Sequence, residues 1–164
     1  MIRIELSKDY KELASLNKVV QDLHCKLYPN DFKPFDHEKI EIFFEKILSD
    51  SNGFAFVARE EEKAIGYLLC FVKLRKENAV QFEKTLLNIS QISVALDYRN
   101  RGVAQQLMEQ AEKLANNKGI ACIQLDHWSQ NLIASKFFIN NGFEYFNHRM
   151  EKKLKTDYTL SLRP

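Results

Sequence analysis

The stretch from Asn88 to Ala115 constrains the fold more than any other part of the chain. It begins with an apolar, β-branched run that contains Ile89, Ile92 and Val94. A short basic turn, residues 99–104, then leads into apolar residues at helical spacing. We therefore predict a strand, a tight turn and a helix. Because the first N–H groups of a helix have no partner within it and carry the positive end of its dipole, such a turn suits a phosphate.

Two small residues of the turn fit this interpretation. Gly102 lets the main chain come close to a ligand, and Ala104 leaves space that a larger side chain would fill. A plain strand–turn–helix unit, in which the glycine only makes the turn, explains the same pattern.

A resemblance favours the phosphate interpretation. The spacing Arg99-x-x-Gly102-x-Ala104, after a strand that ends at Val94, resembles the acyl-CoA pyrophosphate loop of the GNAT superfamily of N-acetyltransferases. The loop is followed by its amphipathic helix and by a second buried run, Ile120–Leu125.

A second signature follows in the expected order. Asn131, Ala134 and an aromatic residue four positions before Gly142-Phe143 resemble the second conserved pattern of the same superfamily. The resemblance covers roughly residues 53–154 and, more loosely, the chain before them.

The resemblance implies an enzyme that moves an acetyl group from acetyl-CoA directly to a primary amine of a small molecule, peptide or protein in a ternary complex. The residues that it places at the cofactor lie on the central strand, in the turn and in the second signature: Ile92, Ser93, Val94, Arg99, Asn100, Arg101, Gly102, Val103, Ala104, Asn131 and Phe138. Solvated turn residues remain an alternative for the two arginines, and Asn131 is equally suited to capping the helix that it begins.

Composition and charge describe an ordinary globular protein. The chain has 164 residues, 45% of them hydrophobic and 28% charged, which fits a single domain over residues 1–164 with a tail at 155–164. The formal charge of +2 gives no support to a nucleic-acid partner. The N-terminus has neither the apolar core of a signal peptide nor a membrane anchor, so we expect a cytoplasmic monomer or homodimer without a membrane partner.

The three cysteines, Cys25, Cys70 and Cys122, are an odd number and widely spaced. We therefore expect buried free thiols and no metal site. Cys122 lies in the second buried run, so we assign it no covalent acyl intermediate.

Periodicity predicts the remaining elements. Strands are expected at 2–6, 54–58, 64–74, 88–94, 120–125, 143–146 and 150–154, and helices at 8–26 and 36–48, then from 103 and after 131. Ser7 is the expected N-cap of the first helix, residues 75–83 an expected loop, and Gly66 a bulge or a close backbone approach. This order predicts an α/β fold, a mixed sheet with helices on both faces. The resemblance implies a mostly antiparallel sheet whose fourth and fifth strands splay apart to admit the pantetheine arm.

Transfer to an amine requires a group that removes the amine proton. Asp126, at the end of the second central strand, is the candidate base, with helix capping or a wall of the cleft as the alternative. His127 is its rival, and strand alternation would place the two on opposite faces. Gln91 has no basic group but is suited to holding a water. A backbone N–H between Ile92 and Val94 would polarise the thioester carbonyl.

The leaving thiolate lacks its usual acid. The tyrosine that protonates it in the superfamily corresponds to Phe138, which has no proton to donate. Tyr145 or solvent could take this role. Because a thiolate is a good leaving group, transfer remains feasible. A non-catalytic acyl-CoA-binding sensor or interaction protein is the alternative function.

The acceptor side is expected near the proline turn. Tyr28, Phe32 and Phe35 cluster there, and they either fill the junction of the first two helices or line an acceptor pocket. The nearby acidic residues either attract a cationic amine or are simply solvated: Asp31, Asp36 and Glu38.

Overall fold

The computed structural model describes residues 1–154, which fall in two compact units divided after Gln130. The expected tail at 155–164 lies outside the described residues. The first unit contains β1 (Ile2–Leu6), α1 (Tyr10–Leu27), α2 (His37–Leu48), β2 (Gly53–Glu60), β3 (Lys63–Arg75), β4 (Lys84–Val94), a 3-10 turn (Leu96–Tyr98), α3 (Val103–Asn117) and β5 (Ile123–Leu125). The second unit contains α4 (Leu132–Asn140).

The five strands form one sheet in the order β1-β2-β3-β4-β5. The first three pairings are antiparallel, and β4 pairs with β5 in parallel. The predicted mixed, mostly antiparallel sheet is thus confirmed. The parallel pairing joins Leu87 to Ile123 and ends where Ile89 meets Leu125. The rest of β4 runs on to Val94 without β5 beside it, which is the predicted parting of the two strands.

One face of the sheet is covered by α1 and α2. Leu13 and Ala14 of α1 and Phe44 of α2 form a buried cluster with side chains of β2 and β3, including Tyr67 and Leu69. The Asp9 carboxylate caps α1 by accepting hydrogen bonds from the N–H groups of Lys11 and Glu12. The expectation that Ser7 caps this helix is therefore wrong, since its hydroxyl accepts from Asp9 N–H instead.

The other face of the sheet is covered by α3. Val103, Leu107, Met108 and Ala111 recur at helical spacing and are all buried. At the far end of the helix, the Lys118 ammonium lies 4.9 Å from the ring centroid of Phe54, which alternates to the opposite side of β2 from the α1–α2 cluster. Helices therefore flank both faces, as the order of elements predicts.

Two irregularities shape the end of β4. Ile65 is an extra residue in β3, and a Cβ on the adjacent Gly66 would lie 2.8 Å from the Ser93 carbonyl oxygen. Both the bulge and the close approach expected at this glycine are present. In β4, Ser90 is extra, because Ile89 pairs with Cys70 and Gln91 pairs with Leu69. The bulge thus falls where β5 leaves β4, a position at which strand pairing is commonly redirected.

An ion-pair group joins β1, β2 and α1. The Arg59 guanidinium donates to Glu5 at 2.5 Å and to both carboxylate oxygens of Glu12 at 2.7 Å. The hydrogen bond from Arg59 lowers the pKa of Glu5. This bidentate geometry orients α1 on the sheet.

The second unit differs from expectation. Asn131 caps α4 by accepting from the Ala134 N–H at 3.2 Å, but residues 143–146 and 150–154 form no strand. The prediction of two strands there is wrong. Several boundaries also shift: β5 begins at Ile123 rather than Ile120, β4 begins at Lys84, β2 spans Gly53–Glu60, β3 spans Lys63–Arg75 and α1 begins at Tyr10. Within residues 1–154, no helix is both long and apolar enough to cross a membrane.

Candidate active site

The turn that precedes α3 holds an open helix N-terminus. Gly102 has a φ of +75° and, lacking a side chain, provides no cap for α3. The first hydrogen bond that closes the helix runs from Gln106 N–H to the Gly102 carbonyl, so the N–H groups of residues 103–105 have no acceptor within it. A Cβ at Gly102 would meet nothing within 4 Å, so the space around this glycine is open.

The basic residues of the turn have different surroundings. Arg101 forms an ion pair with Glu60 and lies over the Tyr98 ring, 5.0 Å from its centroid. Arg99 is exposed and donates a 3.4 Å hydrogen bond from Nε to the Val94 carbonyl. Asn100 also has a positive φ, 58°. Arg99 thus remains open to a ligand, whereas Arg101 would first have to leave Glu60.

The edge of β4 beside this turn carries free main-chain groups. Ala95 N–H donates to the Ile65 carbonyl in β3, so by alternation the N–H groups of Ile92 and Val94 point away from β3. The bond from Arg99 to the Val94 carbonyl agrees with this orientation. No strand of residues 1–154 pairs with β4 here, because β5 ends opposite Ile89. Two N–H donors therefore face the gap in which β4 and β5 part.

A buried polar network lies against the same part of β4. Tyr67 donates to Oε1 of Gln91 at 2.5 Å, and Asn17 Nδ2 lies 3.2 Å from the same oxygen and 3.0 Å from the Tyr67 hydroxyl. Asn17 is only 3% exposed, and its Oδ1 has no hydrogen-bond partner. Burial raises the pKa of Tyr67 well above its ordinary value, so this hydroxyl remains protonated and serves as a donor. The oxygen of Gln91 is thereby occupied, and its amide nitrogen is the group that it has to offer.

This network was not found from the sequence. Tyr67 lies in an apolar run and Asn17 on the apolar stripe of α1. The position of Asn17 on an apolar stripe indicates a buried amide. Because buried amides require hydrogen-bond partners, it was the signal from which a polar network could have been predicted.

The candidate bases lie in the loop after β5. Asp126 is exposed and His127 half-buried, with Nδ1 of His127 3.2 Å from the Trp128 carbonyl. Because β5 ends at Leu125, the argument that alternation separates the two side chains does not apply to them. Asp126 and His127 follow β5, and Gln91 lies on β4. These two strands are neighbours up to Leu125.

The proline turn and the loop after β5 meet at an aromatic cluster. The Trp128 ring lies 4.5 Å from that of Tyr28 and 5.0 Å from that of Phe32, between centroids. His24 packs on Phe32 at 4.5 Å, and burial lowers the pKa of its imidazole.

Phe35, in contrast, lies near His37 and Lys18. Asp36 caps α2 and pairs with Lys39, which lowers its pKa, so it is already engaged.

The residues of the second signature lie in the second unit. Phe138 is buried and makes edge contacts with Phe137 and Phe143 at 5.4 and 5.8 Å. The Tyr145 hydroxyl lies 2.7 Å from that of Ser135. The cofactor contact predicted for Phe138 and the acid role considered for Tyr145 stay predictions.

The cysteines are free thiols, as expected, but only Cys70 is buried. Burial raises the pKa of the Cys70 thiol to about 12, so it is unreactive at neutral pH. Cys122 is half-buried and precedes β5 rather than lying in it. Among residues 1–154, no group of three or more His, Cys, Asp or Glu side chains is arranged to hold a metal ion.

Comparison with known families agrees with this geometry. The sequence profile of the Acetyltransferase (GNAT) family matches residues 17–143, which include the turn before α3, β4 and all of α4. The chain belongs to the GNAT acetyltransferase family. The resemblance read from the two signatures is confirmed. No curated protein matches the sequence of this GNAT member.

Solved structures share its fold. A tetramutant of the BH1408 protein from Bacillus halodurans is 21% identical with a TM-score of 0.85, over 94% of this chain and 99% of that chain. The aminoglycoside N-acetyltransferase AAC(6')-Iy in complex with CoA is 21% identical with a TM-score of 0.69, over 94% and 95% of the two chains. An aminoglycoside acetyltransferase from an uncultured soil metagenomic sample, in complex with sisomicin, is 20% identical with a TM-score of 0.66, over 94% and 97%. At these identities the likeness establishes the GNAT fold.

Proposed function

We propose that this protein is an acetyl-CoA-dependent N-acetyltransferase that transfers the acetyl group directly to a primary amine. One observation supports it most: β4 ends with free N–H groups on its open edge, and the turn that follows leads into the open N-terminus of α3, with Arg99 of that turn bonded to the Val94 carbonyl. A polarised thioester carbonyl suits the first, and a pyrophosphate suits the second. A structure of similar fold holds CoA, and another holds the aminoglycoside sisomicin.

On the cofactor side, most of the proposed contacts come from main-chain N–H groups. The N–H groups of residues 103–105 and the Arg99 guanidinium would bind the pyrophosphate, with the empty space at Gly102 and the small Ala104 admitting it. The N–H of Ile92 or Val94 would donate to the thioester oxygen and stabilise the negative charge that develops there. The bond to sulfur then breaks as the amine nitrogen forms its bond to the carbonyl carbon, and the thiolate leaves.

On the acceptor side, the amine must lose a proton. Asp126 is the proposed base, because it is exposed at the end of β5 and a carboxylate accepts a proton through water where it does not reach directly. Gln91, with its oxygen fixed by Tyr67, is proposed to hold such a water through its amide nitrogen.

The experiment combines binding and turnover. Calorimetry with CoA and acetyl-CoA measures binding, and release of free thiol from acetyl-CoA in the presence of an amine panel measures transfer. The panel includes alkylamines, arylalkylamines, an aminoglycoside and a peptide with a free N-terminus. We expect CoA binding and amine-dependent thiol release. Tight CoA binding without turnover on any amine would instead favour the acyl-CoA sensor, and no binding would exclude both functions.

A further inference from the structure

Tyr28 and Phe32, which are half-buried, form with the exposed Trp128 an aromatic face that the transfer chemistry does not use. Tyr28 follows the last residue of α1, Phe32 lies in the proline turn and Trp128 lies in the loop after β5. Trp128 retains 40% of its surface exposed although it contacts both other rings. A large, rigid, apolar surface left open in this way is typical of a ligand contact.

Hydrogen bonds fix the three segments that carry these rings. The Tyr28 hydroxyl accepts from the Gln130 N–H at 2.9 Å and lies 3.2 Å from the Ser129 hydroxyl, so it ties down the loop that holds Trp128. The Lys33 carbonyl accepts from Gln21 Nε2 at 2.6 Å and from the Cys25 thiol at 2.8 Å, which anchors the proline turn on α1. The aromatic face is therefore preorganised, and a ligand that binds it loses little free energy in ordering the protein.

The aromatic face follows the end of β5, the strand that parts from β4 at the gap. Trp128 comes three residues after Leu125, the last residue that β5 pairs with β4. Asn17 and Tyr28 lie on one stripe of α1, about 16 Å apart along the helix axis. Because Asn17 contacts Gln91, this stripe leads from the polar network on β4 to the aromatic face. The rings and the polar network on β4 thus lie along the same stripe of α1.

The charges around the rings favour an apolar ligand. His24 packs on Phe32, and its buried imidazole is neutral at neutral pH because burial lowers its pKa. The two segments that contribute the rings, residues 28–32 and 126–130, carry only two carboxylates, Asp31 and Asp126. Several carboxylates are needed to hold a polycation, whereas stacked rings select another ring.

We propose that the face of Tyr28, Phe32 and Trp128 binds an aryl group carried by the acceptor amine, so that the preferred acceptor is an arylalkylamine. This inference rests on the proposed acetyl transfer and names its substrate class. The amine nitrogen of such an acceptor would point from the aromatic face toward the gap beside β4.

The single tryptophan of the chain provides the test. The protein, first saturated with CoA, is titrated with benzylamine, phenethylamine and 4-phenylbutylamine, each against the alkylamine that lacks the ring, and with spermidine as a polycation. Trp128 fluorescence is followed. At least one arylalkylamine should half-saturate the signal at a concentration about tenfold below that of its alkyl partner, as expected for aromatic contacts.

A variant distinguishes ligand binding by the aromatic face from a general effect of altered packing. Phe32→Leu keeps an apolar side chain but removes a ring, and should raise the half-saturating concentration and the KM of the arylalkylamine by about three- to tenfold, with the KM for acetyl-CoA unchanged. Phe82→Leu, at an 85% exposed aromatic in the loop between β3 and β4, is the matched control and should change neither.

The outcomes are distinguishable. If alkylamines or spermidine bind and react as well as arylalkylamines, or if Phe32→Leu has no effect, the inference is overturned while acetyl transfer stands. A protein that binds CoA but shows no fluorescence change with any amine also overturns it. Loss of the proposed function shows itself separately, as an absence of calorimetric heat with CoA before any amine is added.

Discussion

The phenolic hydroxyl of Tyr67 donates a hydrogen bond to Oε1 of Gln91, 2.5 Å away on the neighbouring strand. Asn17 Nδ2 reinforces it at the same oxygen. The orientation of the Gln91 amide is thereby fixed from inside the protein, with its nitrogen left to bind a water or a substrate atom. The role that we propose for Gln91 depends on this geometry rather than on a titratable group.

Tyr67→Phe tests this geometry. The change removes one donor to Gln91 without removing the ring, so we expect kcat to fall several-fold, KM for acetyl-CoA to stay the same and the free energy of unfolding to fall by about 1 kcal/mol. Steady-state kinetics and chemical unfolding measure the three quantities. Tyr10→Phe, which removes a hydroxyl from a half-buried ring at the start of α1, is the control. An unchanged kcat in Tyr67→Phe would show that the amide needs no such support.

Asp126→Asn tests the proposed base. If the carboxylate accepts the amine proton, kcat should fall about a hundredfold or more, and the acidic limb of the pH–rate profile should change. Asp22→Asn, at an exposed position of α1 that pairs with Lys18, is the control because surface ion pairs contribute little. If kcat and its dependence on pH are both unchanged, Asp126 is not the base, and His127 is the next residue to replace.

Gly102→Ala tests the cofactor turn. A Cβ at this left-handed φ strains the turn and adds a side chain beside the start of α3, so CoA affinity should fall at least tenfold. Gly119→Ala is an unusually close control, since Gly119 also has a positive φ with open space around it but lies at the other end of α3, about 25 Å away at a rise of about 1.5 Å per residue. Both variants should lose about 1 kcal/mol of stability. Calorimetry should show a loss of CoA binding in the first alone; equal affinities would place the pyrophosphate elsewhere.

His24 makes stability depend on pH. Burial lowers the pKa of its imidazole below the ordinary value of about 6.5, so the unfolded chain takes up a proton that the folded protein resists. This group therefore costs no stability above about pH 6.5 and destabilises the fold progressively as the pH falls below that value. His24→Gln should remove this part of the slope, measured as the difference in urea unfolding free energy between pH 7 and pH 5. Parallel curves for the two proteins would contradict the assignment.

The strand, turn and helix at residues 88–115 could be predicted from the sequence, and the contacts on the α1 side of β4 only in part. The turn at residues 99–104 is specified by neighbouring residues, so spacing alone indicates its geometry. The network of Asn17, Tyr67 and Gln91 joins residues 50 and 74 positions apart, and nothing local reveals such a contact. The aromatic residues of the proline turn were identified, but the packing of Trp128 against them depends on where the chain returns after β5.

The wrong predictions share a cause. Phe143–Phe146 has the alternation of a strand, but a strand also requires a partner, and none pairs with it within residues 1–154. Ser7 and Asp9 are both good capping residues two positions apart, and the carboxylate serves because it reaches two N–H groups of the first turn. Local pattern thus indicates what a segment is able to form, and tertiary contacts decide between close alternatives.

Because the β4–β5 ladder ends early, the two sides of the gap between these strands are lined by different kinds of atom. Toward α3 the polar groups belong to the backbone and survive almost any exchange of side chain, whereas toward α1 they belong to side chains and change with every substitution. We therefore expect homologues to tolerate divergence along β4 while keeping one common donor substrate, and to differ in the amine they modify mainly through residues of α1, the proline turn and the loop after β5.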